Sequence, residues 1–324
     1  MEDIRSLQEE IGAAIDELQF PENPSELYDP IRYTLQLGGK RMRPVLCVLG
    51  SLVCGGRIAD ALKPALGIEL FHNFTLLHDD IMDNAPLRRN KPTVFSKWNT
   101  NVAILSGDVM FAEAFRLISE APPMVLKRVI DSFIKASVEV CEGQQVDMDF
   151  ESRDDVSIEA YLDMIRMKTA VLLGASLEIG ALCGGADPEL ASRLYAFGTH
   201  LGIAFQLHDD LLDVYGNPEK FGKRVGGDIV SNKKTYLKLK AMEKADDKAQ
   251  KELRFWYSSH QHDEAEKVTA VRAVFDSLNI RQETESLMDQ YFISASGFLD
   301  QGAFRDDYKR QLLQLAGALM QRES

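Results

Sequence analysis

Residues 76–83 read LLHDDIMD and place three acids, Asp79, Asp80 and Asp83, inside an otherwise apolar run. Apolar periodicity predicts one long helix over residues 59–83, and positions four apart lie on one face of a helix. Asp79 and Asp83 should therefore point the same way, where their like charges repel each other. A hard divalent cation, most simply Mg²⁺, would offset this charge, and Mg²⁺ usually completes its shell with water and phosphate oxygens. The motif thus predicts a metal site that also holds a phosphorylated ligand.

A second motif repeats the first. Residues 207–213 read LHDDLLD and end another long predicted helix, residues 188–215. A single DDxxD can be an exposed acidic turn without any ligand. Two copies with the same Leu-His lead-in, both in apolar surroundings, favour the functional interpretation instead. Asp209, Asp210 and Asp213 are therefore candidates for the same metal chemistry.

Composition excludes several classes of protein. The 324-residue chain has 45% hydrophobic and 27% charged residues, which is ordinary for a soluble globular protein. A net charge of −13 argues against nucleic acid as a partner, because phosphate backbones favour basic surfaces. The cysteines are widely spaced, so we expect reduced thiols rather than disulfides or a zinc site. We see no signal peptide and no apolar run long enough to span a membrane. These features predict a cytoplasmic protein that is not integral to a membrane.

Helical periodicity runs through nearly every segment, and strand patterns are few. We therefore predict an all-α fold: a single domain over residues 1–324, built as a helical bundle with the acidic helices near its centre. Residues 84–93 contain two prolines and are predicted to form an irregular loop. Residues 101–118 are predicted to form a buried helix, and residues 158–183 a continuous one. About four amphipathic helices should follow in residues 235–322.

Cations cluster at two places near predicted helix ends. Residues 38–44 read GGKRMRP, which indicates either an anion site or cations that cap the preceding helix. Arg88 and Arg89 follow the first acidic motif. Arginine binds phosphate through planar paired contacts, although an exposed surface pair is the alternative interpretation.

Polar residues also interrupt apolar helices. Lys168 needs a partner there, either a phosphate or a structural carboxylate. Gln206 can hydrogen-bond a ligand or a helix carbonyl, and His72 and His78 favour packing or secondary hydrogen bonds over direct metal ligation. Residues 221–235 are rich in glycine and lysine but match neither nucleotide-binding glycine motif.

Together these motifs resemble one family, the trans-isoprenyl diphosphate synthases or polyprenyl synthetases. The resemblance covers about residues 33–240 and rests on the following motifs: GGKRMRP, DDIMD with Arg88-Arg89, Gly143-Gln144 with Asp147, Lys168-Thr169, GIAFQLHDDLLD, and GKRVGGD with Lys233-Lys234-Thr235. It implies an all-α isoprenoid-synthase fold around a central cavity, with a catalytic core at about 33–240 and outer helices over 241–324. Members of the family are usually homodimers.

The resemblance also implies a reaction. An allylic diphosphate (dimethylallyl, geranyl or farnesyl) would bind through three Mg²⁺ ions, ionise, and be attacked by the double bond of isopentenyl diphosphate. The implied metal ligands are Asp79, Asp83 and Asp209, with Asp80, Asp210 and Asp213 in support. The implied allylic diphosphate ligands are Arg88, Lys168 and Lys223. The implied isopentenyl diphosphate ligands are Lys40, Arg43, His72 and Arg89. Thr169 and Gln206 would flank the reacting carbons, and Lys233 would order the glycine-rich loop.

Product length should depend on residues one turn before the first motif. The growing chain would run past Thr75, which is small, towards Phe74 and the deeper Phe71. By resemblance, this combination is typical of short-chain enzymes that make geranylgeranyl diphosphate, with farnesyl diphosphate as the close second. A small residue in place of Phe74 would be typical of long-chain synthases.

Three alternative functions stay open from the sequence. A long-chain polyprenyl diphosphate synthase would differ only in product. A terpene cyclase would share Mg²⁺ but usually has a different second motif and needs no second diphosphate site. A non-catalytic partner subunit would usually lose one acidic motif, and both are complete here.

Overall fold

The fold is taken from a computed structural model, which describes residues 3–216, 225–258 and 263–321. Helices make up most of it. The first helices along the chain are α1 (Ile4–Asp16), α2 (Ser25–Gln36), α3 (Met42–Val53), α4 (Ile58–Met82), α5 (Val94–Lys97), α6 (Thr100–Ile118), α7 (Leu126–Glu151), α8 (Ile158–Ile165), α9 (Val171–Cys183) and α10 (Pro188–Tyr215). They are followed by α11 (Gly227–Val230), α12 (Tyr236–Lys244), α13 (Asp247–Tyr257), α14 (Glu264–Ser277), α15 (Ile280–Asp300) and α16 (Asp306–Met320). None of the helices in the described ranges is both long and apolar enough to cross a membrane.

The predicted all-α fold is confirmed, with one local correction. Residues 84–93 are not an irregular loop throughout, because Leu87–Arg88 (β1) and Lys91–Pro92 (β2) pair as a short antiparallel hairpin. Its turn is formed by Arg89 and Asn90, which have φ angles of 52° and 59°. Paired left-handed residues suit a two-residue hairpin turn. The prediction was wrong because Arg-Asn is not one of the usual glycine-containing hairpin signals.

The chain divides into two compact units, and the first contains the first acidic motif. This unit comprises Met1–Ile134, Ala175–Tyr195 and Gly302–Leu313. Helix α3 is buried along its length from Pro44 to Val53. It crosses α9 at very short range, because a Cβ atom on Gly180 would overlap the backbone carbonyl of Cys47. Glycine at this position therefore allows the two backbones to touch.

The second unit contains the second acidic motif. It comprises Lys135–Gly174, Ala196–Gln301 and Gln314–Ser324. Leu207 and Leu211 of α10 lie in one hydrophobic core with side chains from the later helices, among them Leu253, Phe275 and Met288. Within the described ranges, five helices, α12–α16, follow residue 235, where about four were expected. The single domain and the central cavity stay predictions.

The predicted helix over residues 158–183 has an unexpected interruption. Ser157 caps its start, accepting a hydrogen bond from the backbone N–H of Ala160 at 3.1 Å. Between α8 and α9, however, Arg166–Ala170 form one turn of π-helix. Such turns occur mainly as single insertions in α-helices and are common at functional sites. Apolar periodicity cannot reveal a single wide turn, because the flanking residues keep their helical spacing.

Helix α6 is buried on only one face. The prediction that this helix is buried is therefore wrong for its opposite face. Ile104 is 41% exposed, Leu105 58%, and Phe111 and Phe115 39% each. These residues recur at helical spacing and form one stripe, which we call the α6 apolar face. The sequence misled because large apolar side chains occur on both faces of this helix, although Asp108 and Arg116 also lie on the exposed face. Apolar spacing alone therefore does not indicate which face is covered.

Candidate functional site

The first acidic motif ends α4 and divides its three acids between two roles. Asp79 is half-buried and Asp83 exposed, whereas Asp80 is buried. The guanidinium of Arg88 donates to the Asp80 carboxylate at 2.8 Å from the strand that follows the motif. Burial raises the pKa of Asp80, and the charge of Arg88 opposes that shift. Arg88 therefore holds the end of α4 in place while Asp79 and Asp83 remain at its surface.

The accessible acids of the first motif suit Mg²⁺, which needs few protein ligands, better than a metal ion whose ligands are all protein side chains. Among the described residues, no group of three or more His, Cys, Asp or Glu side chains is arranged to hold a metal ion. Mg²⁺ does not need such a group, because it usually takes one or two carboxylates and completes its shell with water and substrate phosphate oxygens. Asp79 and Asp83, one helical turn apart and partly accessible, supply hard oxygen donors of this kind.

The second acidic motif is held by hydrogen bonds within its own unit. The hydroxyl of Tyr161 donates to the buried carboxylate of Asp210, and the side-chain amide of Gln206 donates to the same carboxylate at 3.2 Å. Asp213 accepts the backbone N–H of Asp228 at 2.9 Å, so α11 begins against the motif. Asp209 is half-buried beside these anchored acids.

Negative charge accumulates around this second motif. Burial raises the pKa of Asp213 to about 6, and the nearby charge of Asp228 adds to the shift. Burial and Asp228 also raise the pKa of Asp210, while Tyr161 and Lys233 oppose that shift. Carboxylates whose pKa is raised in this way gain from a bound cation, because the cation stabilises their charged form.

The π-helical turn carries the two polar residues predicted for the substrate. Lys168 donates to Asp147 at 2.5 Å, so the structural carboxylate is present. The hydroxyl of Thr169 donates to the Gln206 carbonyl oxygen at 3.1 Å, which extends the network of the second motif. Gly143 allows this arrangement, since a Cβ atom there would overlap the backbone nitrogen of Lys168. The wide turn therefore packs directly on α7.

The cationic loop before α3 joins the first motif's helix through a histidine. Arg43 donates to the Nε2 atom of His72 at 3.1 Å. Burial holds the pKa of His72 well below its usual value, and the surrounding arginines, Arg43 first, lower it further. A guanidinium of Arg89 donates to the backbone carbonyl of Gly38. Arg43 and His72 are thus in contact, and Arg89 lies close enough for its charge to lower the pKa of His72.

Of the remaining predicted site lysines, the structure describes Lys40 and Lys233. Lys40 contacts α1, because the amide of Gln8 donates to its backbone carbonyl at 2.8 Å. The backbone N–H of Lys233 donates to the carbonyl of Asp228 at 2.9 Å. The positive charge of the Lys233 ammonium lowers the pKa of both Asp210 and Asp213, against the effect of burial. Lys223 lies outside the described residues.

An aromatic cluster lies one turn before the first motif. The ring of Phe74 stacks on Phe111, with centroids 5.4 Å apart and planes at 26°. It also contacts Phe71 at 5.6 Å and the ring of His78 at 4.7 Å. Phe133 closes the cluster against Phe71 at 5.4 Å. The predicted chain-length residues Phe71 and Phe74 are therefore part of a larger aromatic wall.

Comparison with known proteins identifies the family. A sequence profile of the polyprenyl synthetase family matches residues 24–274. The chain belongs to the polyprenyl synthetase family. A geranylgeranyl diphosphate synthase from Methanosarcina mazei is 42% identical over 246 residues, which span 75% of this chain and 76% of that protein. One crystal structure of a geranylgeranyl pyrophosphate synthase has a TM-score of 0.96 and 41% identity, and covers 100% of both chains.

Another polyprenyl synthetase neighbour was crystallised with ligands. The polyprenyl synthase from Caulobacter crescentus CB15, complexed with calcium and isoprenyl diphosphate, has a TM-score of 0.88 and 28% identity over 99% of this chain and 97% of that chain. These findings confirm the predicted family, its fold and its enzyme class, a short-chain prenyltransferase.

Sequence reasoning missed several residues of this polyprenyl synthetase. Tyr161 and Asp228 contact the second motif, and Phe111 and Phe133 pack with the chain-length residues. Helical spacing offered a partial signal for Tyr161, because it lies seven positions before Lys168 and would share its face in a regular α-helix. No comparable signal exists for Phe111 and Phe133, because their partners are distant in sequence.

We expect Tyr161→Phe to weaken both stability and activity. The buried Asp210 would lose a hydrogen-bond donor, which should lower the free energy of unfolding by about 1–3 kcal/mol. Urea unfolding and steady-state kinetics would measure the two effects. Tyr33→Phe is the matched control, because its hydroxyl donates to an exposed backbone carbonyl, that of Pro92, at 2.7 Å. Equal effects of both variants would contradict a specific role for Tyr161.

Proposed function

We propose that this polyprenyl synthetase condenses isopentenyl diphosphate with an allylic diphosphate and makes geranylgeranyl diphosphate. The observation that carries the proposal is the match to the family together with two intact acidic motifs. The geranylgeranyl diphosphate synthase from Methanosarcina mazei, at 42% identity, supports the choice of product. An intact second motif and a separate cationic loop disfavour a terpene cyclase or a non-catalytic subunit.

The allylic diphosphate is assigned to the acidic motifs. Mg²⁺, proposed as three ions held by Asp79, Asp83 and Asp209, would neutralise the departing diphosphate. The calcium in the related Caulobacter crescentus CB15 structure supports a divalent ion. Asp80, Asp210 and Asp213 would support these ligands through the contacts described above. Lys168, Arg88 and Lys223 would add positive charge around the leaving group.

Residues near the reacting carbons would act after ionisation. The carbonyl oxygen of Gln206 and the hydroxyl oxygen of Thr169 carry partial negative charge, so they would stabilise the allylic cation. Lys40, Arg43, His72 and Arg89 would hold isopentenyl diphosphate with its double bond aligned for attack. Because the pKa of His72 is lowered, its ring is neutral near pH 7 and can donate a hydrogen bond to a phosphate oxygen. A proton lost from the adduct would pass to the released diphosphate.

Product length is assigned to the aromatic wall behind Thr75. The hydroxyl of Thr75 donates to the carbonyl of His72 at 2.8 Å, so this small side chain folds back against its own helix. Phe74, stacked on Phe111, would then be the first bulky side chain that the growing product meets. This arrangement supports a product longer than the smallest prenyl diphosphates and shorter than those of long-chain synthases.

A diphosphate-release assay tests the proposed reaction. The protein is incubated with isopentenyl diphosphate and dimethylallyl, geranyl or farnesyl diphosphate in turn, with Mg²⁺ or with EDTA. We expect release that requires both substrates and Mg²⁺. Failure to release diphosphate with any of the three pairs would overturn the proposal. Release from an allylic diphosphate alone would indicate a cyclase instead.

A homodimer is the proposed assembly, and the α6 apolar face supports it. Exposed apolar stripes of this kind commonly mark interfaces between protein chains. We expect the wild-type protein to sediment as a dimer, and Phe115→Glu to shift it towards monomer because a buried, unpaired charge would oppose association. Sedimentation velocity would measure both, with Phe255→Glu as a control at an exposed aromatic residue outside that face. A monomeric wild type would contradict this proposal. The cytoplasmic location stays a prediction.

A further inference from the structure

Arg41 lies between Lys40 and Arg43 in sequence but does not share their surroundings. Its side chain is 11% exposed and forms an ion pair with Glu69 at 2.6 Å, whose own side chain is 5% exposed. A second guanidinium nitrogen donates to the backbone carbonyl of Leu35 at 2.5 Å. Arg41 therefore joins three helices: it precedes α3, contacts the end of α2 and pairs with α4. A residue so enclosed is poorly placed to bind a phosphate itself.

Glu69 is fixed as firmly as its partner. The side-chain amide of Asn73 donates to the Glu69 carboxylate at 3.0 Å and to the Glu69 backbone carbonyl at 2.8 Å. Burying an ion pair removes both charges from water, a loss that their attraction often only balances. A buried pair of this kind can instead act by selecting one arrangement of the chain. The Arg41–Glu69 pair is therefore expected to fix the position of the chain around it.

The backbone of the loop supports that explanation. Arg41 has a φ angle of 48°, in the left-handed region that residues other than glycine seldom occupy. From this conformation its carbonyl accepts the N–H of Val45 at 3.2 Å, which starts α3. The contacts to Glu69 and Leu35 hold Arg41 in this conformation. They consequently set where α3 begins, and with it the position of Arg43.

Two contacts link the start of α3 to α4. Arg41 binds Glu69, and Arg43 donates to His72 at 3.1 Å. Glu69 and His72 are three positions apart and share one face of α4. The buried Arg41–Glu69 contact thus determines where Arg43 meets His72 on α4. Arg43 and His72 are two of the residues proposed to bind isopentenyl diphosphate.

We propose that Arg41 and Glu69 are a positioning pair for the isopentenyl diphosphate site, an inference that rests on the function proposed above. A purely electrostatic role for Glu69 leads to the opposite expectation. If Glu69 only reduced the positive charge, then Glu69→Gln would make the site more cationic and lower the KM for isopentenyl diphosphate. If Glu69 positions the loop, the same substitution raises that KM.

Steady-state kinetics of Glu69→Gln, Arg41→Lys and the double variant test the pair. We expect the KM for isopentenyl diphosphate to rise about tenfold in each, which corresponds to about 1.4 kcal/mol of lost binding. The kcat and the KM for the allylic diphosphate should stay within about twofold, because the acidic motifs keep their contacts. The double variant should resemble the single variants, since all three weaken the same contact.

Matched controls and distinct outcomes keep the test decisive. Arg5→Lys and Glu9→Gln make the same changes in an exposed ion pair on α1 and should leave every constant unchanged. An unchanged or lowered KM in an active, folded variant would overturn the inference, as would equal losses in kcat and both KM values. If one single variant does not fold, the other still weakens the same contact. A wild type without activity would instead refute the proposed function.

Discussion

Asp79→Asn is expected to lower kcat by about a thousandfold, one of the two largest effects predicted for this protein. The substitution keeps the size of the side chain but replaces a charged oxygen donor by a neutral amide, which binds Mg²⁺ more weakly. Asp79 is half-buried at the end of α4 and is not the acid that Arg88 holds, so the fold should persist. Initial rates over a range of Mg²⁺ concentrations would measure the loss and any increased demand for metal.

The matched control is Asp131→Asn. Asp131 is an exposed acid on α7, paired with Lys127 at 2.6 Å, and has no proposed part in metal binding. Its loss should leave kcat and the Mg²⁺ dependence unchanged, because exposed ion pairs contribute little. A kcat for Asp79→Asn within about threefold of wild type would contradict the assignment of the first motif to the metal.

Phe74→Ala is expected to change the product itself, lengthening it by at least one isoprene unit. The lost ring is stacked on Phe111 and contacts Phe71, so its removal opens space where the growing chain is proposed to end. Removing a buried phenylalanine typically costs about 3–5 kcal/mol, and the half-buried Phe74 should cost less. Chromatography of the dephosphorylated products would measure the change in length.

A second aromatic substitution separates chain length from general loss of packing. Phe255→Ala removes a ring that is 56% exposed and distant in sequence from the wall, and should leave the product unchanged. Unaltered product length from an active Phe74→Ala enzyme would contradict the role of Phe74. That result would instead favour Phe133 and Phe111, which also belong to the aromatic wall, as the residues that limit product length.

Most of the helices could be predicted because their signals are local. Apolar spacing located α4 and α10 within one or two residues of their observed bounds. The acidic motifs were recognisable for the same reason, since each fits within two helical turns.

Features that depend on distant partners could not be predicted in this way. The partner of Lys168 was left open between a phosphate and a carboxylate, and only the folded chain shows Asp147 beside it. Arg41 resembled its neighbouring cations in sequence, yet its side chain turns inward to a glutamate 28 positions away. Large apolar side chains lie on the exposed face of α6 as well as on its buried face, so burial there depends on what covers the helix.

Product identification for the wild-type enzyme tests the central claim most directly. The protein is incubated with isopentenyl diphosphate, farnesyl diphosphate and Mg²⁺, and the dephosphorylated product is identified by chromatography and mass spectrometry. We expect geranylgeraniol as the main product, and no product when EDTA replaces Mg²⁺. The absence of any condensation product from farnesyl, geranyl or dimethylallyl diphosphate, or the same yield with EDTA, would contradict a metal-dependent short-chain prenyltransferase.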